Sequence, residues 1–179
     1  KRIIDAQLQG KRREPVFEFG VNTGCRDQEL CNLRWDWLKK IDDTLWYFEL
    51  PKGSTKNNQV RPVILNSIAK SIIESLVGNN PEYVFSYEGQ KLGRLNKSAY
   101  RKARVRAGKV IPDILKTNVH SLRHSFGERL TESDVPWDWK QALLGHNPKE
   151  VTWRYSHYYK GKVNLLKLLK FVERLVRYS

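Results

Sequence analysis

A chain of 179 residues carrying 33 Lys and Arg against 19 Asp and Glu, a formal charge of +14, is about one domain by length. It can bury roughly two-thirds of its unfolded surface, and its charge excess favours a polyanionic partner. Six Trp and eight Tyr exclude a disordered basic tail. No apolar run approaches the ~18 residues of a membrane span, and the first five residues lack the apolar core of a secretory signal.

Residues 1–14 are charged and read as a linker or the remnant of a preceding segment. Met is absent altogether. The chain therefore reads as an excised or processed piece of a longer protein, with a further N-terminal domain expected before it. Residues 15–20 lead into a helix that Thr23-Gly24 breaks. Residues 26–30 restart one, and Leu30, Leu33, Trp37 and Leu38 continue it at near-helical spacing. Cys25 and Cys31, the only cysteines, lie six apart in what reads as that one helix. Such spacing suits a disulfide poorly, so reduced thiols and a cytosolic compartment are expected, and no zinc site. Cys25 reads as a small packing residue.

Asp42-Asp43 reads as a turn, residues 44–50 (TLWYFEL) as a strand, and residues 51–58 (PKGSTKNN) as a turn region. Residues 59–65 read as the next strand, with Pro62 pointing to a sheet edge. Residues 66–77 form the next expected helix, capped by Asn66, with Ile68, Ile72, Ile73 and Leu76 inward. Residues 78–81 end it, and residues 83–85 are a short extended piece. Residues 95–107 are a strongly basic helix. Pro112 marks a loop. Helices are then expected over 120–132, over 136–144 with Pro136 in the first turn, over 150–159 and over 163–178. The expected fold class is mainly α with a small antiparallel β-sheet, α+β, and no repeat.

Four histidines fall in the C-terminal part: His120, His124, His146 and His157. HSLRH places His120, Arg123 and His124 at i, i+3 and i+4, one face of a helix that could converge on an anion. A phosphodiester gains negative charge on its nonbridging oxygens as a nucleophile adds, and permanently charged, fork-shaped arginines suit it. A His or Lys can donate a proton to the leaving oxygen. A Tyr can attack directly and hold the phosphate covalently.

The ordered elements TGCRDQEL (23–30), HSLRH (120–124), LGH (144–146) and TWRYSH (152–157) resemble the signature of the tyrosine recombinases, the phage-integrase family. The resemblance covers roughly residues 23–159. It implies the DNA breaking-rejoining catalytic fold over 15–162, followed by a C-terminal helix, 163–179, packed in cis or on a neighbouring protomer. By the family pattern Arg26 is the first arginine and Glu29 the acidic residue that orients the site. T-K-x-x-x-x-R-x-V fits residues 55–63, making Lys56 the general acid for the 5′-hydroxyl; Lys52 competes from the same turn. Pro62 there, and Trp153-Arg154 before the tyrosine, depart from the pattern. His120 maps to the proton acceptor, and Arg123 and His146 join Arg26 in clamping the phosphate. His124 supports the site or simply packs, and His157 is structural. Tyr155 is the nucleophile, with Tyr158 and Tyr159 as rivals.

The reaction so implied is two transesterifications through a 3′-phosphotyrosine, needing no metal, ATP or other cofactor. Arg94, Lys97, Arg101, Lys102, Arg104 and Arg106 are candidates for tracking phosphates or entering a major groove, or form a solvated face. The resemblance implies double-stranded DNA as partner, a tetramer of protomers on paired sites, accessory DNA-bending proteins, no membrane, and the nucleoid of a prokaryotic cytoplasm. Two other readings share parts of the evidence. A type IB-like topoisomerase shares the chemistry; a non-catalytic DNA-binding module shares the fold.

Overall fold

A computed structural model describes residues 15–56, 58–95, 97–146 and 161–178. Tyr155 and His157, the linker over 1–14 and the expected helix over 150–159 lie outside the described residues. Helix α1 (Pro15–Thr23) starts at a proline, whose fixed φ and missing N–H suit a first turn. It stops at Gly24, which turns left-handed at φ +64°. Helix α2 (Asp27–Cys31) follows after an extended Arg26.

Here the structure departs from expectation. The helix ends at Cys31, because Leu33 to Trp35 turn to pair with a distant segment. The Val84 amide donates to Leu33 O at 2.9 Å and the Trp35 amide to Glu82 O at 3.1 Å. A 3-10 turn (Trp35–Trp37) and strand β1 (Leu38–Lys40) take the rest of the expected helix. Cys25 precedes α2 instead of sharing a helix with Cys31. Both thiols are free and buried, and burial pushes them up, to about 11 for Cys25 and about 12 for Cys31.

Strand β2 (Trp46–Leu50) starts two residues later than expected, since Asp42 Oδ1 accepts from the Thr44 and Leu45 amides and holds them in a turn. β2 lies between β1 and β3 (Arg61–Ile64), both antiparallel to it. Pro62 therefore sits in an edge strand, opposite Glu49. Helix α3 (Ser67–Leu76) is capped by Asn66, whose side chain accepts from the Ala69 amide at 2.9 Å. A two-stranded hairpin, β4 (Ser86–Tyr87) and β5 (Gln90–Lys91), was not expected. Its strands are too short to leave a hydrophobic alternation; Glu88-Gly89, both at positive φ, form its turn.

The basic helix is α4 (Lys97–Gly108), and Pro112 opens a second 3-10 turn (Pro112–Lys116). Helix α5 (Ser121–Glu132) begins after His120, and α6 (Trp137–Leu144) after Pro136. Helix α7 (Lys162–Arg174) is tied at its start by Lys162–Asp42 at 2.9 Å, and Glu173 accepts from the Ser67 amide at 2.7 Å.

The apolar side chains form two cores. One gathers α1, α2, the sheet, α3 and Tyr100 of α4. The other gathers Phe126 and Leu130 of α5, residues 142–144 of α6, and Leu165, Leu168, Leu169 and Val172 of α7. Each such side chain contributes about 1.5–3 kcal/mol when fully buried. Strand β3 borders both, giving Val63 to the first and Ile64 to the second. No helix among the described residues is long and apolar enough to cross a membrane.

Candidate functional site

Where the two cores meet, three arginines converge on the last turn of α6. Arg61 Nη2 donates to Leu143 O at 2.8 Å, Arg123 Nη2 to Leu144 O, and Arg26 Nη2 to Gly145 O at 3.2 Å. Three successive carbonyls thus each receive a different guanidinium. These carbonyls are orphans of the helix end and carry its partial negative charge, so cations there are favoured by about 0.3–1 kcal/mol each. Arg123 also donates to Gly24 O at 2.7 Å, joining the turn before Arg26 to the turn before His146.

One buried carboxylate serves this cluster. Glu29, 2 % exposed, accepts from Arg26 Nη1 at 2.8 Å, from the Arg26 amide at 2.8 Å and from Arg61 Nη1 at 2.5 Å. Burial alone raises a carboxyl's pKa, but Arg61 and the bonds from Arg26 outweigh it, and Glu29 is held below the usual range. Burial, then Arg61 and Arg26, lower Arg123 to about 9, which leaves it charged at neutral pH. Three guanidiniums gather around this one buried carboxylate, and the Arg26 edge of the cluster opens to solvent, its side chain 20% exposed.

Two glycines make this approach possible. Gly145 has φ +60°, and a Cβ there would lie 2.4 Å from Arg61 Cδ. Gly24 has φ +64°, and its Cβ would lie 2.4 Å from Phe126 Cδ1. Gly145→Ala is expected to lower the urea midpoint by more than Gly78→Ala does. Gly78 has φ +88° but no atom within 4 Å of a Cβ, so it reports the left-handed backbone cost alone, about 1–2 kcal/mol. Equal losses in the two variants would show that Arg61 gives way freely.

Beside the cluster lies a cleft of roughly 840 Å³, lined by Arg26, Glu29, Lys56, Lys91 and His120 among others. Lys56 is presented by the β2–β3 turn. Thr55 braces that turn by donating its hydroxyl to Gln59 O at 2.8 Å and accepting the Gln59 amide at 3.1 Å. Lys52, the rival lysine, lines the same cleft. A second cleft of about 610 Å³ shares His120 and is lined by Arg123, Arg101 and Arg104. His124 is exposed and meets His120 edge-on, ring centroids 4.7 Å apart. His146 Nδ1 lies 2.8 Å from Gln141 Oε1, which sets the ring's orientation.

Both imidazoles are held below the usual histidine value. For His120 the causes are burial, then His124, Arg123 and Arg26; for His146 they are burial, then Arg123, Arg26 and Arg61. A depressed pKa contributes stability that is complete above the unfolded value of about 6.5 and is lost as pH falls through the folded value. The thermal midpoint of the free protein is therefore expected to decline as pH drops from 7.5 to 5.5. The double variant His120→Gln/His146→Gln should show a shallower decline; an unchanged slope would place the acid sensitivity elsewhere.

The candidate DNA-contact residues divide. Arg101, Lys102 and Arg106 are exposed on α4, whereas Arg104 is half-buried and donates to Thr117 O, so part of its guanidinium braces the fold. Arg94 lines a separate groove beside the β4–β5 hairpin. Lys97 begins α4. Two members of the site were missed by sequence reasoning. Arg61 had served only as a spacing marker for Lys56. Its signal was an arginine opening a strand of otherwise apolar residues, RPVIL. Lys91 carried no signal, because the hairpin that places it was not foreseen. Among the described residues no group of three His, Cys, Asp or Glu side chains could hold a metal ion.

Residues 1–162 match the model of the phage integrase family. The chain is 30% identical over 170 residues to the integrase of Salmonella phage P22, covering 88% of this chain and 41% of that protein. It is 28% identical over 165 residues to transposase B from transposon PsiTn554 of Staphylococcus aureus, covering 86% of this chain and 25% of that protein. The chain thus spans less than half the length of either relative. Among solved structures, XerH site-specific recombinase bound to its difH substrate superposes with a TM-score of 0.61 at 20% identity, over 93% of this chain and 50% of that one. A lambda integrase tetramer bound to a Holliday junction gives 0.54 at 20% identity, over 83% and 45%. At these identities the structures establish a shared fold.

Proposed function

This chain belongs to the phage integrase family, and on that premise we propose that it carries the catalytic centre of a site-specific DNA recombinase that integrates or excises a mobile element. The observation that carries this reading is the convergence of Arg26, Arg61 and Arg123 on the end of α6 around the buried Glu29, beside a cleft that also holds Lys56 and His120. Such a centre is built for an anion whose charge grows in the transition state. Arg26, Arg123 and His146 hold the nonbridging oxygens of the scissile phosphate. The Tyr155 hydroxyl attacks phosphorus and its proton passes to His120. The bond to the 5′-oxygen breaks, and Lys56 supplies the proton that the 5′-hydroxyl needs. A 3′-phosphotyrosine remains, and a second 5′-hydroxyl reverses the steps to rejoin the strands. No bond energy is lost, so ATP is not required, and the arginines supply the charge that a metal would otherwise bring.

The partner is double-stranded DNA, bound chiefly through phosphates and hence with steep salt dependence. Its protomers assemble as a tetramer on paired sites, with accessory DNA-bending proteins, in the cytoplasm of a prokaryotic host. The test is covalent capture. The protein is mixed, in EDTA, with nicked duplexes carrying the junction sequence of the source element, and the adduct is mapped by mass spectrometry. An adduct on the peptide that contains Tyr155 supports the reading. Tight, salt-sensitive binding without an adduct favours the non-catalytic module. An adduct with supercoil relaxation but no joining of paired sites favours the topoisomerase-like reading.

A further inference from the structure

We propose that Arg61 is a positioning residue, the keystone that sets the distance between the Arg26 and His146 halves of the phosphate site. This role rests on the recombinase reading above. Arg61 is 3 % exposed and lines neither cleft beside the cluster, so it acts through other residues. Its two terminal nitrogens serve two different elements: Nη1 meets Glu29 Oε2 on α2 at 2.5 Å, and Nη2 meets Leu143 O on α6 at 2.8 Å. Glu29 passes the constraint to Arg26 through its other oxygen at 2.8 Å, and Arg26 returns to Gly145 O at 3.2 Å. The result is a closed ring: Arg61, Glu29, Arg26, then the α6 end from Gly145 back to Leu143. His146 is the next residue beyond that ring. The aliphatic part of Arg61 also packs under Gly145, where a Cβ would strike Cδ at 2.4 Å. It therefore sets the height of the LGH turn as well as its lateral position.

A planar fork is required for this. A lysine keeps the charge but offers one compact donor group, which cannot span a carboxylate on one element and a carbonyl on another in the same geometry. A displacement of about 1 Å in a reacting group can cost on the order of 100-fold in rate without loss of binding.

The experiment measures two quantities for the wild type, Arg61→Lys and Arg61→Gln, each well below its unfolding midpoint. One is the dissociation constant for an uncleavable duplex. The other is the single-turnover rate of adduct formation at saturating nicked duplex. The expected result is a dissociation constant within about threefold of the wild type and an adduct rate reduced about 10- to 100-fold in Arg61→Lys, with Arg61→Gln no faster. A purely structural role would lower the unfolding midpoint and leave that rate alone. A wild-type rate in Arg61→Lys would overturn the positioning role while leaving the recombinase reading intact. No adduct with the wild type would overturn both. Failure of both variants to fold at low temperature would make Arg61 a folding residue and also overturn the role.

Discussion

Tyr155→Phe is expected to bind DNA as the wild type does and to form no covalent adduct. The substitution removes one hydroxyl and keeps the ring, so affinity should stay within about threefold, a difference under about 1 kcal/mol. Cleavage has no such margin. In the proposed reaction the phenolic oxygen itself attacks phosphorus, and an arginine cluster that would stabilise that transition state has nothing to stabilise without a nucleophile. The comparison is read on a denaturing gel, with the binding isotherm measured in parallel. Tyr158 and Tyr159 stand three and four residues on. If the adduct survives in Tyr155→Phe and vanishes in Tyr158→Phe or Tyr159→Phe, the nucleophile has been misassigned and the rest of the cradle stands.

Glu29→Gln is expected to be the most damaging single change to the folded domain. Glu29 and Arg61 are both almost fully buried, with side-chain exposures of 2% and 4%. Removing one partner of such a pair leaves an uncompensated buried charge and costs about 3–5 kcal/mol. In Glu29→Gln that cost is compounded, since the new amide N–H₂ would point a donor at a guanidinium that has only donors. For a domain of this size the thermal midpoint should fall by about 10 °C or more. The pH dependence carries a second signature. Glu29 has its pKa depressed in the fold, so its contribution is complete above the unfolded carboxylate value and is lost as pH falls through the lower folded value. The wild type should therefore lose this stability in the acid range, and Glu29→Gln should lack that limb of the curve. A variant with a wild-type midpoint would show that the three arginines tolerate each other through solvent alone.

Much of the architecture was legible locally because its causes are local. Asn66 caps α3 through its own side chain, Gly24 ends α1 with its own backbone, and Pro62 marks an edge strand by lacking an N–H. The expected run of helix from Leu30 to Leu38 failed for the opposite reason. Its periodicity was sound, but pairing of Leu33 and Trp35 with a segment some fifty residues later offered those backbone groups other partners. The hairpin bearing Lys91 was hidden because two-residue strands leave no pattern to read.

By itself the sequence determined the helix-rich class with its small sheet, the basic character, and which motifs stand in which order; residue type and spacing decide these, and both are written along the chain. Only the tertiary structure decided what those motifs do to one another. Arg26 meets the Gly145 carbonyl across 119 residues and Arg61 meets Leu143 across 82. The glycines of TGCR and LGH are there because an aromatic ring and an arginine stem lie where a Cβ would be. Arg61, a spacing mark in one dimension, becomes the centre of the ion network in three. Burial and Coulomb energy depend on distance through space, and that distance exists only once the two cores have closed around β3.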